Sequence, residues 1–128
     1  MKRTTFFVGV ALVIGALSGC TAETERREMA RMAQAPVEYK RGEGLFNSYC
    51  SKCHGKGGRG TDQGPPFLHR IYHPDHHGDE SFHLAAQRGA IAHHWQFGNM
   101  PKVEGLNEGD VNEIAAYVRW LQRQAGIY

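Results

Sequence analysis

The sequence predicts a small all-α domain, a few helices joined by loops with no sheet. Three features lead there. Val111, Ile114, Ala115 and Val118 recur at helical spacing near the C-terminus, and Tyr117, Trp120 and Leu121 widen the same apolar face. No run of the chain reads convincingly as a strand, and no internal repeat is visible. The cysteine pair of Cys50-Ser51-Lys52-Cys53-His54 follows residues 42–49, a helical stretch with no β-rich run before it.

The chain begins with the basic Met1-Lys2-Arg3 and an apolar run from Phe6 to Leu17. That run is too short for a comfortable membrane span and has the make-up of a secretory leader. Leu17-Ser18-Gly19-Cys20 resembles the lipobox of bacterial lipoproteins, in which the cysteine is acylated and becomes the first mature residue. An ordinary leader with a chance cysteine and an uncleaved anchor are the competing readings. The expected division is a leader over 1–19, a lipidated N-terminus and flexible tether over 20–37, and one folded domain over 38–128. Losing the leader discards Lys2 and Arg3, which cancels the formal net charge of +2. A neutral mature chain carries no sign of a nucleic-acid binder.

From Thr21 to about Val37 the chain is polar and charge-mixed. Such a composition buries little apolar surface and reads as a tether, able to reach ~60 Å when fully extended. Glu28-Met29-Ala30-Arg31-Met32-Ala33 contains good helix formers, and Pro36 marks the tether's end. A first helix is expected from Tyr39 to Cys50, burying Leu45, Phe46 and Tyr49.

The C-x-x-C-H run that follows reads, outside the cytosol, as a site of covalent haem attachment. Two thiols at this spacing suit addition to the two vinyl groups on one porphyrin edge. His54, directly after the second thiol, is then placed as the iron's proximal ligand. A structural zinc site needs four Cys or His ligands, but only Cys20, Cys50 and Cys53 exist, so no second pair is available. A thioredoxin-like motif would follow a strand, and a Cys50–Cys53 disulfide would leave His54 without a role. Lipid on Cys20 and haem on Cys50 and Cys53 use every thiol.

Gly55-Lys56-Gly57-Gly58-Arg59-Gly60 is too glycine-rich for regular structure and is expected to wrap the haem edge as a loop. Its residue order fits no phosphate-binding loop. A second helix is expected from Glu80 to Arg88, with Asp79 as cap, Gly89 as stop, and Phe82, Ala85 and Ala86 on its apolar face. In the final helix Asn107 serves as N-cap and Asp110 sits in the first turn, where it favours the helix dipole; Gly126 is its expected stop. Between the last two helices, Asn99-Met100-Pro101 offers a sixth ligand for the iron. A methionine thioether is soft and neutral and raises the reduction potential relative to bis-histidine ligation, and the proline stiffens its loop. The competing reading of Met100 is core packing; Met29 and Met32, the other methionines of the mature chain, fall in the tether.

From Gly42 to Leu121 the chain resembles class I cytochromes c. Gly42 and Phe46 stand where that family has a glycine and an aromatic ahead of the first haem cysteine, and Ile114 and Tyr117 fit its C-terminal helix. The resemblance implies a monohaem fold of helices and loops around one covalently attached haem c. It also implies a Gly-Pro turn whose proline carbonyl accepts a hydrogen bond from the proximal histidine. Gly64-Pro65-Pro66, followed by Leu68, resembles that turn, with either Pro65 or Pro66 in the part. Such a bond orients His54 and strengthens it as a donor.

The chain departs from the family in its histidine-rich middle: His69, His73, His76, His77, His83, His93 and His94. His93 and His94 fall within reach of the distal haem side. Three readings compete: polar residues, with some of them or Trp95 bonding the haem propionates; a second metal site such as copper at His76–His77 or His93–His94; or a histidine replacing Met100 on iron. Pro74 argues against His73 and His76 sharing a regular helix, and imidazoles that charge near pH 6 would make partner docking pH-sensitive.

The expected function is electron transfer by a membrane-tethered, extracytoplasmic carrier cycling Fe(III)/Fe(II). Its partners would be a donor reductase and an acceptor oxidase or other extracytoplasmic enzyme. No carboxylate pair, Ser-His-Asp set or nucleophile motif points to independent catalysis. Two rivals remain: a haem subunit, weak peroxidase or gas sensor with a labile Met100, and a histidine-rich copper-binding lipoprotein with haem as accessory.

Overall fold

The computed structural model describes Glu23 and residues 34–128. The leader, Cys20, Met29, Met32 and all of the tether up to residue 33 except Glu23 lie outside the described residues. The compact unit runs Ala35–Tyr128. Its helices are α1 (Lys40–Tyr49), α2 (Ser51–His54), α3 (Asp79–Arg88) and α4 (Glu108–Gln124). Short 3-10 turns at Val37–Tyr39, Lys56–Gly58 and Arg70–Tyr72 join them. Among the described residues there is no strand, only an isolated antiparallel bridge between Ala90 and Met100. No described helix is long and apolar enough to cross a membrane.

α1 and α4 pack against each other and form the centre of the domain. Phe46 on α1 is fully buried and its ring lies 5.6 Å from that of Tyr117 on α4. Ala35, Ile114 and Val118 complete the same cluster. The face is narrower than the sequence implies: Leu45 is half-buried, and Tyr49 is 42% exposed rather than buried. Tyr49 closes the last turn of α1 and lies beside Gly105 of a surface loop, so solvent reaches its ring.

The N-terminus of α4 is fixed by a reciprocal capping box. Asp110 N–H donates to Asn107 Oδ1 at 3.0 Å, and Asn107 N–H donates to Asp110 Oδ2 at 3.2 Å. Asp110 also takes Arg41 of α1 at 2.5 Å, which ties the two helices at that end. The buried stripe contains Val111, Ile114, Ala115, Tyr117 and Val118 as expected, while Trp120 and Leu121 are half-buried and Arg119 and Gln122 are buried instead. Gln122 Nε2 donates to the carbonyls of Phe67 and Tyr72 at 3.0 Å each.

α3 begins one residue earlier than expected. Gly78 is its N-cap, and Asp79 is already helical and turns its carboxylate to Arg119 instead of capping. The helix ends at Arg88 before Gly89. Ala86 is buried and Phe82 and Ala85 half-buried, as the apolar face requires. His83 is buried as well, held by Asn112 of α4 through a 2.9 Å contact.

Candidate haem site

Cys50 sits at the break between α1 and α2, and Cys53 and His54 follow on the next turn. The break costs little hydrogen bonding: Cys50 N–H reaches Phe46 O, and His54 N–H reaches Cys50 O, both at 2.9 Å. No disulfide joins the two cysteines. Burial, and then the charge of Cys53, push the Cys50 thiol up to about 11.

Gly55 turns the chain back immediately after His54. Its φ is +75°, and a Cβ there would lie 2.4 Å from Gly60 O, so a side chain is excluded on both counts. The turn lets Gly60 N–H reach His54 O at 2.6 Å and Phe67 N–H reach Gly58 O at 2.8 Å. The glycine-rich segment contains a 3-10 turn at Lys56–Gly58. Apart from that turn, its placement differs from the expectation: none of residues 55–60 lines the cavity described below. Gly58 instead packs against Phe67 and Leu121, and the segment acts as a brace behind His54.

This brace brings the Gly64-Pro65-Pro66 turn to His54. Pro65 is the proline in contact, its carbonyl 3.0 Å from His54 Nδ1. Phe67 stacks on the imidazole, with ring centroids 4.2 Å apart and 20° between planes. Burial lowers the His54 pKa, partly offset by the contact with Pro65. A neutral imidazole that donates Nδ1–H to Pro65 keeps its lone pair on Nε2, the form a metal takes.

An apolar cavity of about 270 Å³ opens beside His54. Cys50, Pro65, Trp95 and Met100 also line it. Met100 enters from a loop closed at its base, where Ala90 and Met100 exchange backbone hydrogen bonds of 3.0 and 2.9 Å. Asn99 Oδ1 accepts from Ala92 N–H at 3.0 Å inside the same loop. Cys53, Pro66 and Leu68 are not on the cavity wall; Cys53 packs against Gly64 and Pro66 against Gly60. Trp95 Nε1 is buried without a hydrogen bond of full geometry, and its neighbouring acceptor is the Tyr72 hydroxyl.

These residues fit a haem: an apolar wall for the porphyrin, a thiol and a neutral imidazole beside it, a thioether, and a buried donor for a carboxylate. A family model for cytochrome c matches residues 39–122. The chain belongs to the cytochrome c family. No curated protein and no solved structure matches it significantly. The cofactor of this cytochrome is therefore covalently bound haem c, which supplies a one-electron Fe(III)/Fe(II) couple. Its activity class is haem-based electron transfer and its partners are redox proteins.

The seven further histidines divide into separate groups. His69 Nδ1 accepts from Ile71 N–H and His73 Nδ1 from Asp75 N–H, each at 3.3 Å, so both serve local turns. His83 joins α3 to α4. The other four, His76, His77, His93 and His94, form one cluster at the cavity mouth, with His77, His93 and His94 on the cavity wall itself. Burial, and then the charges of His76, His93 and Arg119, lower the His77 pKa against a raising contact with Ile71 O. His94 is lowered too, by desolvation and then by the neighbouring imidazoles.

Sequence reasoning missed Phe67, Tyr72 and Arg119. Phe67 directly follows the double proline, which was the available signal. Arg119 had none, because its place in a helical apolar stripe reads as a solvated edge.

Proposed function

We propose that this cytochrome is a lipid-tethered, extracytoplasmic one-electron carrier with His54 and Met100 as axial ligands to a haem held by Cys50 and Cys53. The observation that carries the reading is His54 itself: 7% exposed, neutral by burial, with Nδ1 engaged by Pro65 O at 3.0 Å. That leaves Nε2 for iron on the wall of the cavity that Met100 shares. Two protein ligands would close the iron to substrate and favour electron transfer over catalysis. Leu84, Ile91 and Phe97 line the cavity and are 42%, 79% and 39% exposed. They give the mouth an apolar rim suited to transient docking of a donor reductase and an acceptor oxidase or other extracytoplasmic enzyme. The lipobox at Leu17–Cys20 supports tethering, and export supports covalent haem attachment outside the cytoplasm.

The optical spectrum of the ferric holoprotein tests the ligation. A methionine-to-iron charge-transfer band at the red end, with slow carbon monoxide binding by the reduced form, is the expected result. A high-spin spectrum with rapid carbon monoxide binding would overturn it in favour of a peroxidase or gas sensor. Mass spectrometry of the mature chain tests the tether, with one haem and a diacylglyceryl-modified Cys20 expected together.

A further inference from the structure

We propose that His76, His77 and His94 form a second metal site, selective for copper(II), at the mouth of the haem cavity. One ligand nitrogen from each of the three lies within 4.8 Å of the others. His76 Nε2 and His94 Nε2 are 2.9 Å apart. At a metal–imidazole bond of about 2.0–2.1 Å, two nitrogens at right angles sit about 2.9 Å from one another, and two on a tetrahedral ion about 3.4 Å. The 2.9 Å spacing is also the length of an N–H···N hydrogen bond between the two imidazoles, so the choice of metal rests on copper(II) heading the affinity order for nitrogen sites.

The ligands are oriented by contacts outside the cluster. His77 Nδ1 donates to Ile71 O at 2.8 Å, which leaves its Nε2 lone pair free. The backbone of His77 is pinned in turn, its carbonyl accepting from Arg119 Nη2. His76 and His77 N–H both bond His73 O at 2.9 Å, so one tight turn presents the two imidazoles together. His94 arrives from the Ala90–Met100 loop, and its ring lies 5.0 Å from His76 and 5.2 Å from His77. His93 stacks on His77 at 5.7 Å, with its own Nδ1 bonded to Ile91 O at 2.8 Å. A fourth imidazole therefore stands beside the site with Nε2 unassigned.

The site stands on its own geometry and does not depend on the ligation proposed for the haem. Because His77 and His94 also line the cavity, an ion there would sit against the haem's surroundings, and its binding would be felt at the iron.

The test uses untagged holoprotein whose haem content is measured on the same samples. Titration with copper(II), followed by desalting and metal analysis, is expected to leave one equivalent bound. The paramagnetic resonance spectrum should be tetragonal with splitting from several nitrogens. His76 is absent from the cavity wall, so His76→Ala should retain its haem and lose at least about tenfold in copper affinity. His94→Gln should weaken binding similarly, and His73→Ala should bind as the parent does. Zinc should bind more weakly than copper. Equal affinity in His76→Ala and His73→Ala, or no stable equivalent in the parent, would overturn the proposal while the haem absorbance reports separately on the cytochrome reading.

Discussion

Arg119 Nε donates to Asp79 Oδ1 across 2.7 Å and joins the C-terminal helix to the first turn of α3. The rest of the guanidinium spreads over the chain between them. Nη1 donates to Tyr72 O at 3.0 Å and Gln122 Oε1 at 2.6 Å, Nη2 donates to His77 O, and the group lies 5.1 Å from the Phe82 ring centroid. Only a planar fork with five donors serves so many acceptors at once. One side chain therefore holds the segment that carries Tyr72 and His77 to the cavity.

Arg119→Met should be expensive for that reason. Asp79 is 70% exposed and returns to water, but His77 O and Gln122 Oε1 lose their donor, and Tyr72 O keeps only Gln122 Nε2. The expected loss is about 2–4 kcal/mol of stability, the range for breaking a buried hydrogen-bond network. Urea unfolding followed by circular dichroism measures it. A change below about 1 kcal/mol would mean that the network is incidental.

Gly42 marks the closest approach of α1 to α4. A Cβ there would stand 2.1 Å from Glu113 O and 2.9 Å from Tyr117 Cβ, against helix backbone that cannot swing away. Gly42→Ala should destabilise the domain by about 1–3 kcal/mol or more. Gly44, on the same helix, has nothing within 4 Å of its Cβ position. Gly44→Ala should stabilise by about 0.5–1 kcal/mol. The two midpoints in a denaturant titration must move in opposite directions; parallel shifts would place the helix contact elsewhere.

Much of this architecture is written in local chemistry. The Asn107–Asp110 capping box, the apolar stripe of α4 and the glycine after α3 are short-range signals, and each lies where its residues direct. The C-x-x-C-H run points to the chemistry because the proposed ligand and both cysteines fall within five consecutive residues. What the sequence hides is long-range. Asp79 looks like a cap, yet its carboxylate finds a guanidinium 40 residues away. Tyr49 fits the apolar face of α1 but falls past its packed end. The choice between Pro65 and Pro66 depends on how the glycine brace folds behind His54. The gathering of His76, His77 and His94 depends on two loops meeting, which no spacing records.

Met100→Ala separates ligation from folding. The loop is closed by backbone bonds between Ala90 and Met100, which alanine preserves, so the domain should still fold around its haem. With the thioether gone, the ferric protein should lose its low-spin character and the midpoint potential should fall, because methionine favours the reduced iron. Optical spectroscopy and a redox titration on the same sample check both. An unchanged spectrum and potential would remove Met100 from the iron.

Trp95→Phe tests the buried indole N–H. If that donor serves a haem propionate, it stabilises the ionised carboxylate and holds its pKa down. A hydrogen bond to a charged group contributes about 1.5–3 kcal/mol, and each pKa unit corresponds to about 1.4 kcal/mol. Replacing the indole should therefore raise the propionate pKa by about 1–2 units. The carboxylate would then take up its proton at higher pH, so the pH-dependent limb of the midpoint potential should begin at correspondingly higher pH. Above the variant's own propionate pKa, where both proteins carry the charge, the potential of the variant should be lower, since an unscreened negative charge favours ferric iron. Redox titrations of parent and variant between about pH 5 and 9 read both effects. Superimposable profiles would show that Trp95 Nε1 has no anionic partner on the haem.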